Sequence, residues 1–329
     1  MVHTVEFMIV LTKDDLANII EGLEVQKDTA LRDEKKSMTL TIKKGVMKQN
    51  ISEGSTSYVD VWRAFIIVDL IKLLGTADIY ESDLKLIIRK IEDFLFKYVK
   101  SDSVIELIRI EYRYDAYIDN QSERALLFKL YRKCQAKKSY MKQKPEKYKT
   151  TLTYCSKSRS NIFYDKEVQL RNTGREVQEY EKGVLRYEAK ILPRHTYYQL
   201  KSNNLERSLA SYFTEEMYKK YMNKMIINVV YRGNYYNVYQ AKKLLMKSKN
   251  LKNLEKHEAL AFMLLISKSR SVTKAIEVIG SYKAKKYIEK LQAEDINPIL
   301  IPKCEKVSKM SNPLKNLYGK WEKEQKYAT

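Results

Sequence analysis

The chain has 329 residues, enough to bury a sizeable core in one large domain or two ordinary ones. Its 62 Lys and Arg against 41 Asp and Glu give a net charge of +21, which favours a polyanionic partner such as a nucleic acid. The longest apolar runs, 64–68 and 259–266, are too short to span a membrane, and residues 1–6 lack the basic start of a secretory signal. We therefore expect a cytoplasmic protein without a membrane partner.

Residues 1–200 mix alternating and helical apolar patterns, which are typical of strands and helices in one domain. Ser82 is the expected N-cap of one of the helices. This order predicts an α/β protein of the α+β sandwich type, with helices packed on a sheet rich in antiparallel pairs. The predicted elements in chain order are a strand in the short apolar start of the chain, a helix over 14–24, strands over 38–42 and 57–70, a helix over 82–100, a strand over 105–118, a helix over 122–139, a hairpin of 149–154 with 160–166, a helix over 167–180 and a strand over 184–192.

After Pro193 the chain becomes lysine-rich and helical in pattern, apart from a β signal over 226–230. We place a domain boundary near residue 200, between a mixed α/β domain over 1–200 and a mainly helical, lysine-rich region over 201–329 that is expected to bind DNA. Within the second part, a helix over 271–278, a turn at Gly280 and a helix over 282–291 outline a helix-turn-helix. The tail from Cys304 is expected to be irregular or weakly helical.

Two predicted strands repeat one pattern, in which a glutamate stands between two cations at alternate positions. The segments are Arg109-Ile110-Glu111-Tyr112-Arg113 and Arg186-Tyr187-Glu188-Ala189-Lys190. Such strands have one apolar face and one charged face, so Glu111 and Glu188 on neighbouring strands could converge on Mg²⁺ or Mn²⁺. The alternative is that both glutamates only pair with the cations around them.

A third metal ligand is less clearly indicated. Asp60 is one candidate, and Asp115 is a weaker one because four residues along a straight strand place it about 13 Å from Glu111. The histidines, His3, His195 and His257, form no His-apolar-His pair, so carboxylates are expected to supply the ligands.

Tyr164 ends an apolar run and is followed at once by Asp165 and Lys166. A tyrosine that attacks a phosphodiester must lose its proton, although its ordinary pKa is about 10. In a continuing strand Lys166 would share a face with Tyr164, about 6 to 7 Å away between Cα atoms, and could lower the pKa of Tyr164 or contact the phosphate. The alternative is a structural tyrosine followed by a solvated lysine.

The segment 121–170 carries 13 Lys and Arg against 4 Asp and Glu, with tyrosines interleaved. Cations for the backbone and aromatic rings for the bases are typical of a single-strand site, although such a run can also be a solvated face. Lys157 and Arg159, in the turn before Tyr164, are the preferred DNA contacts, joined by Arg109 and Arg186 from the two repeated strands.

These residues resemble the rolling-circle replication initiators of filamentous phages, the gene II type, and more distantly plasmid initiators and relaxases that lack a histidine pair. The similarity covers about 60–200. Gln169 departs from the family, which has a glutamate there, so the acid or base after Tyr164 stays open, with Glu167 as a substitute. The matching segments are Arg109-Ile110-Glu111, Thr151-Leu152-Thr153-Tyr154 leading into Ile162-Phe163-Tyr164-Asp165-Lys166, and Val184-Leu185-Arg186-Tyr187-Glu188-Ala189-Lys190-Ile191.

The resemblance implies that Tyr164 nicks one DNA strand, stays joined to the 5′ phosphate and leaves a 3′ hydroxyl that primes rolling-circle replication. Glu111 and Glu188 would hold Mg²⁺ or Mn²⁺. The implied partners are origin DNA and a host helicase in the cytoplasm of a bacterial cell. Two alternatives stay open: a relaxase that mobilises a conjugative element by the same chemistry, and a non-catalytic repressor that uses only the charge and the helix-turn-helix.

Overall fold

The computed structural model describes residues 1–52, 55–100, 102–135, 137–138, 141–145 and 148–317. Residues 318–329 of the predicted DNA-binding region, and residues 136, 139, 140, 146 and 147 of the basic segment, lie outside the described residues. The strands are β1 (Val2–Val10), β2 (Leu31–Arg32), β3 (Met38–Ser52), β4 (Ser55–Asp69), β5 (Glu106–Tyr117), β6 (Lys137–Lys138), β7 (Met141–Gln143), β8 (Thr151–Cys155), β9 (Arg159–Asp165), β10 (Val184–Ile191), β11 (Tyr235–Tyr236) and β12 (Lys309–Met310). The helices are α1 (Lys13–Gln26), α2 (Leu70–Leu74), α3 (Leu84–Leu95), α4 (Gln121–Tyr131), α5 (Lys166–Asn172), α6 (Pro193–Asn203), α7 (Leu209–Tyr212), α8 (Glu215–Met222), α9 (Asn228–Val230), α10 (Val238–Lys247), α11 (Asn253–Ser269), α12 (Val272–Ile279) and α13 (Ser281–Ala293).

The large sheet has the strand order β2-β3-β4-β1-β5-β10-β9-β8-β7-β6. Strand β1 lies inside it and pairs antiparallel with both β4 and β5, so that Phe7 stands opposite Ile66 and Val5 opposite Ile110. Buried residues alternate along β1, as expected for a strand with one face on the core. Antiparallel pairs and packed helices confirm the predicted α+β class.

Local sequence signals account for several element ends. Helix α1 starts with a capping box, because the Thr12 hydroxyl accepts from the Asp15 amide and the Asp15 carboxylate accepts from the Thr12 amide. Helix α3 buries Ile87 and Ile91 on one face, as its apolar spacing predicts. The expected N-cap at Ser82 is wrong: residues 81–83 form a 3₁₀ turn, and the Asp83 carboxylate accepts from the Tyr80 amide at 2.8 Å.

Three predicted helices are too long, and the first of them, α3, ends at Leu95 rather than 100. Helix α4 ends at Tyr131 rather than 139, because the amides of Lys133 and Cys134 bond three residues back and tighten the last turn. Helix α5 ends at Asn172 rather than 180, since Gly174 takes a positive φ of 66° and the Arg175 amide turns back to the Leu170 carbonyl.

The β signal over 226–230 is also wrong. Residues Asn223–Ile227 form a π turn that continues into α9. The β-branched side chains of Ile226, Val229 and Val230 are buried there, so tertiary packing overrides their local preference for strands.

Backbone packing groups the chain into two units, neither of which is one continuous segment. One unit comprises Met1–Arg113, Lys157–Arg159 and Lys190–Tyr218, and contains β1 to β4 with α1 to α3, α6 and α7. The other comprises Tyr114–Ser156, Ser160–Ala189 and the chain from Lys219 onward, and contains α10 to α13. A functional boundary at residue 200 stays a prediction. No helix in the described ranges is both long and apolar enough to cross a bilayer.

Candidate active site

Tyr164 projects from the face of β9 opposite to the core. Buried and half-buried residues alternate along β9, and Phe163 packs against the ring of Tyr187 on β10 with 5.5 Å between ring centroids. Successive side chains of a strand point to opposite faces. The other face of these two strands therefore carries Tyr164 on β9, together with Arg186 and Glu188, which flank Tyr187 on β10.

On that face Tyr164 donates a hydrogen bond from its hydroxyl to Oε1 of Glu188 at 2.7 Å. Burial, the charge of Glu188 and the hydrogen bond raise the pKa of Tyr164 above its ordinary value, while the Arg186 guanidinium opposes this rise. The phenol form is thus favoured in the absence of a metal, contrary to the expectation that the pocket itself favours the phenolate. Glu188 is 4% exposed and is placed to receive the proton.

Lys166 does not continue strand β9 as predicted. Strand β9 ends at Asp165, whose carboxylate caps α5 by accepting from the Val168 amide, so Lys166 is the first residue of a helix. Its ammonium lies 3.6 Å from Glu181 and 3.4 Å from the Gln169 side-chain oxygen. Arg186 is a cation that acts to lower the pKa of Tyr164, and burial together with the charge of Arg186 lowers the pKa of Lys166. A catalytic role for Lys166 stays a prediction.

Arg186 is held in a fixed orientation by Asp115. The guanidinium donates two hydrogen bonds to the two carboxylate oxygens, at 2.7 Å and 2.8 Å. A bidentate pair of this kind fixes the plane of the arginine and leaves other N–H groups for a further acceptor. Asp115 is therefore the partner of Arg186. This ion pair explains the position of Asp115 better than a role as third metal ligand does.

Glu111 on β5 is 4% exposed and lies among cations. Its Oε2 accepts from the Lys190 ammonium at 3.0 Å, and its Oε1 lies 3.6 Å from Nε of Arg109, which is itself 3.0 Å from Glu6. These contacts agree with the ion-pair alternative for Glu111. They also mean that Lys190 would compete with a metal ion for the same carboxylate.

A histidine stands beside one of the predicted carboxylates. Nε2 of His3 is 3.6 Å from Oε2 of Glu111, and both residues belong to the same unit of the chain. A carboxylate and an imidazole are donors that suit Mn²⁺ and also accommodate Mg²⁺. His3 was missed because β1 and β5 become neighbours only in the fold, where Thr4 stands opposite Glu111.

The remaining predicted residues lie in different settings. Asp60 on β4 is exposed and pairs with Lys44 at 2.6 Å. Lys157 is exposed in the turn between β8 and β9, whereas Arg159 is buried at the start of β9. Of the two, only Lys157 presents an open cation to a ligand.

Sequence reasoning also missed Arg124 on α4, which is 2% exposed at its side chain. Its guanidinium donates to Asp165 at 2.7 Å, to Glu167 at 3.0 Å and to the carbonyls of Ile118 and Asp119. This arginine fixes the junction of β9 and α5 directly after Tyr164. Arg124 lies in a helix at a position where an exposed side chain is expected, so no sequence pattern indicates its structural role at this junction.

No protein-family model matches the chain, and no curated protein matches it significantly.

Proposed function

We propose that this chain nicks and rejoins one strand of DNA by attack of Tyr164 on a phosphodiester, as an initiator of rolling-circle replication. The observation that carries the proposal is the hydrogen bond from Tyr164 to Glu188 at 2.7 Å, next to the guanidinium of Arg186. A phenol, a proton acceptor and a fixed cation are the groups that transesterification by tyrosine needs.

Glu188 would take the proton as the Tyr164 oxygen bonds to phosphorus. The bond between phosphorus and the 3′ oxygen breaks, and the 3′ oxygen leaves as a hydroxyl after accepting a proton, which Glu188 can return. The product is a 5′-phosphotyrosyl link with a free 3′ hydroxyl. Because burial raises the pKa of Tyr164, the proton must leave together with the attack rather than before it.

Arg186 is suited to stabilise the charge that develops on the phosphate. Its orientation is set by Asp115 before any substrate binds, so little reorganisation is needed during the reaction. Lys166, Arg109 and Lys157 are further cations that would bind the DNA backbone, and Arg159 would support the turn that carries Lys157.

Glu111 and Glu188, with His3, would hold Mg²⁺ or Mn²⁺, which when bound would supply Lewis-acid polarisation of the scissile phosphate. A carboxylate has two oxygens, so Glu188 can accept from Tyr164 through one and bind a cation through the other. Lys190 would release Glu111 at the same time. The partners implied are origin DNA and a host helicase, and the reaction would take place in the cytoplasm of a bacterial host.

The test is a nicking assay on a supercoiled plasmid that carries the DNA flanking the gene for this chain. With Mn²⁺ or Mg²⁺ we expect the wild type to convert the plasmid to the open circle and to remain attached to DNA on a denaturing gel. Tyr164→Phe keeps the ring and removes the attacking oxygen, so it should bind the plasmid and give neither nick nor adduct.

Tyr180→Phe is the matched control, because Tyr180 is 70% exposed and should be dispensable. Nicking by Tyr164→Phe at the wild-type rate would contradict the proposal. Binding without nicking by the wild type, under both metals, would instead favour a repressor. A relaxase would give the same nicking result, and the genes next to this one would distinguish it.

A further inference from the structure

Helices α11, α12 and α13 form a three-helix unit near the end of the described chain. Helix α11 packs against both α12 and α13, and these two pack against each other. The small side chains of Ala275 and Ala284 are fully buried and allow the close approach, and the ring of Phe262 packs on Tyr287 with 5.8 Å between centroids. This is the arrangement of a helix-turn-helix with a supporting first helix.

The turn between α12 and α13 consists of Gly280. Its φ of 86° lies in the left-handed region that favours glycine, and apart from its chain neighbours no atom in the described part of the chain lies within 4 Å of a Cβ at this position. The constraint is therefore the backbone conformation and not space. The sequence predicted this turn from Gly280, and the two helices lie within two residues of their predicted ends.

The outer face of α13 is cationic. Tyr282 is 82% exposed, and Lys283, Lys285 and Lys286 are exposed beside it, with no acidic residue between 281 and 288. Ala284 and Leu291 turn inward, and Lys290 turns toward Glu255 on α11, with which it pairs. On α12, Lys274 is exposed near the helix start. On α12 and α13 the exposed cations thus lie at the start of α12 and in the first half of α13.

We propose that α13 enters the major groove of duplex DNA, with its first half against the bases and Lys274 of α12 on the phosphate backbone. The helix is about 10 to 12 Å wide with its side chains, which matches a major groove about 12 Å wide. Duplex binding by this surface goes beyond the proposed nicking function and does not depend on it. The nicking site would take a single strand, whereas this surface would contact the bases of paired DNA. It would direct the protein to one duplex sequence beside the nick.

The experiment is fluorescence anisotropy of the full chain with a labelled duplex from the flanking DNA, compared with its single strand and with duplex RNA of the same sequence. Lys285→Ala/Lys286→Ala removes two adjacent exposed cations and keeps good helix formers. We expect it to weaken duplex binding at least about tenfold and to reduce the salt dependence by about two released ions. Lys242→Ala/Lys243→Ala on α10 is the matched control, also exposed and adjacent, and should change affinity less than about twofold.

Methylation of guanine N7 supplies a second measurement, because this atom lies in the major groove. The wild type should protect a short run of guanines, and the Lys285→Ala/Lys286→Ala variant should lose that protection while its circular dichroism stays unchanged. Equal loss of affinity in the α10 control, unchanged affinity for the duplex in the α13 variant, or an equal loss of affinity for the single strand and for duplex RNA in the α13 variant would each overturn the proposal. Duplex binding that is retained by Tyr164→Phe would support it, whatever the nicking assay shows.

Discussion

Replacement of Arg124 by methionine should destabilise the fold strongly. The Arg124 and Asp165 side chains are 2% and 1% exposed, so the substitution leaves a buried carboxylate without its cation. Breaking a buried pair by removing one partner costs about 3 to 5 kcal/mol in free energy of unfolding. At about 2 to 4 °C per kcal/mol for a large domain, the unfolding midpoint should fall by about 6 to 20 °C. Differential scanning calorimetry measures this shift.

Two further variants separate the ion pair from general disruption. Arg171→Met removes a cation that pairs with Glu167, a carboxylate that Arg124 also contacts. Because Arg171 is 66% exposed, its loss should cost less than about 1 kcal/mol in free energy of unfolding. In Arg124→Met/Asp165→Asn the charge is gone and an asparagine can still cap α5, so the double variant should be less destabilised than the sum of the two single variants. A midpoint for Arg124→Met within about 2 °C of the wild type, or strict additivity in the double variant, would refute this reasoning.

Three more predictions concern the site and the buried tyrosines. Arg186→Gln should slow nicking by about 100-fold or more in single-turnover assays, because Arg186 is the cation beside the nucleophile. Lys166→Gln should slow nicking by less than about tenfold. A larger effect of Lys166→Gln than of Arg186→Gln would show that Lys166 is the more important cation. His3→Ala should raise the Mn²⁺ concentration needed for half-maximal binding by about tenfold, measured by calorimetry, and an unchanged value would remove His3 from the metal site. Burial raises the pKa of Tyr114 and that of Tyr212 to about 12, so between about pH 10 and 12 the unfolded chain releases protons that the folded chain keeps. The free energy of unfolding should therefore fall with rising pH above 10, by up to about 1.4 kcal/mol per pH unit for each tyrosine. Urea titrations followed by circular dichroism measure this free energy. Constant stability up to about pH 12 would show that these hydroxyls are hydrated.

The sheet could be predicted from sequence because strand alternation is a local signal. The repeated pattern around Glu111 and Glu188 placed both residues on strands with one charged face, and β5 and β10 are indeed neighbours in the sheet. Element ends were harder, since the ends of α4 and α5 depend on turn hydrogen bonds that compete with helical continuation. Because β9 ends at Asp165, one residue before Lys166, the lysine is the first residue of α5 and not part of the strand.

The partners of the predicted residues could not be derived from spacing. His3 and Glu111 are 108 positions apart, Asp115 and Arg186 are 71 apart, and Arg124 and Asp165 are 41 apart. Each pair forms only because non-consecutive elements meet in the fold. A sequence shows that a glutamate faces a charged side of a strand, but it does not show which cation or histidine stands opposite.

Helix α5 and the loop that follows it connect β9 to β10, and residues 171–176 of this connection are exposed. Hydrogen bonding within the sheet, rather than this loop, fixes Tyr164 against Glu188. The cost of closing a flexible loop grows only slowly with its length, and Gly174 has open space around it. A peptide inserted after Gly174 should therefore leave the hydroxyl and the carboxylate in register, which makes this bend a place to attach a fluorophore or to divide the chain into two complementing fragments.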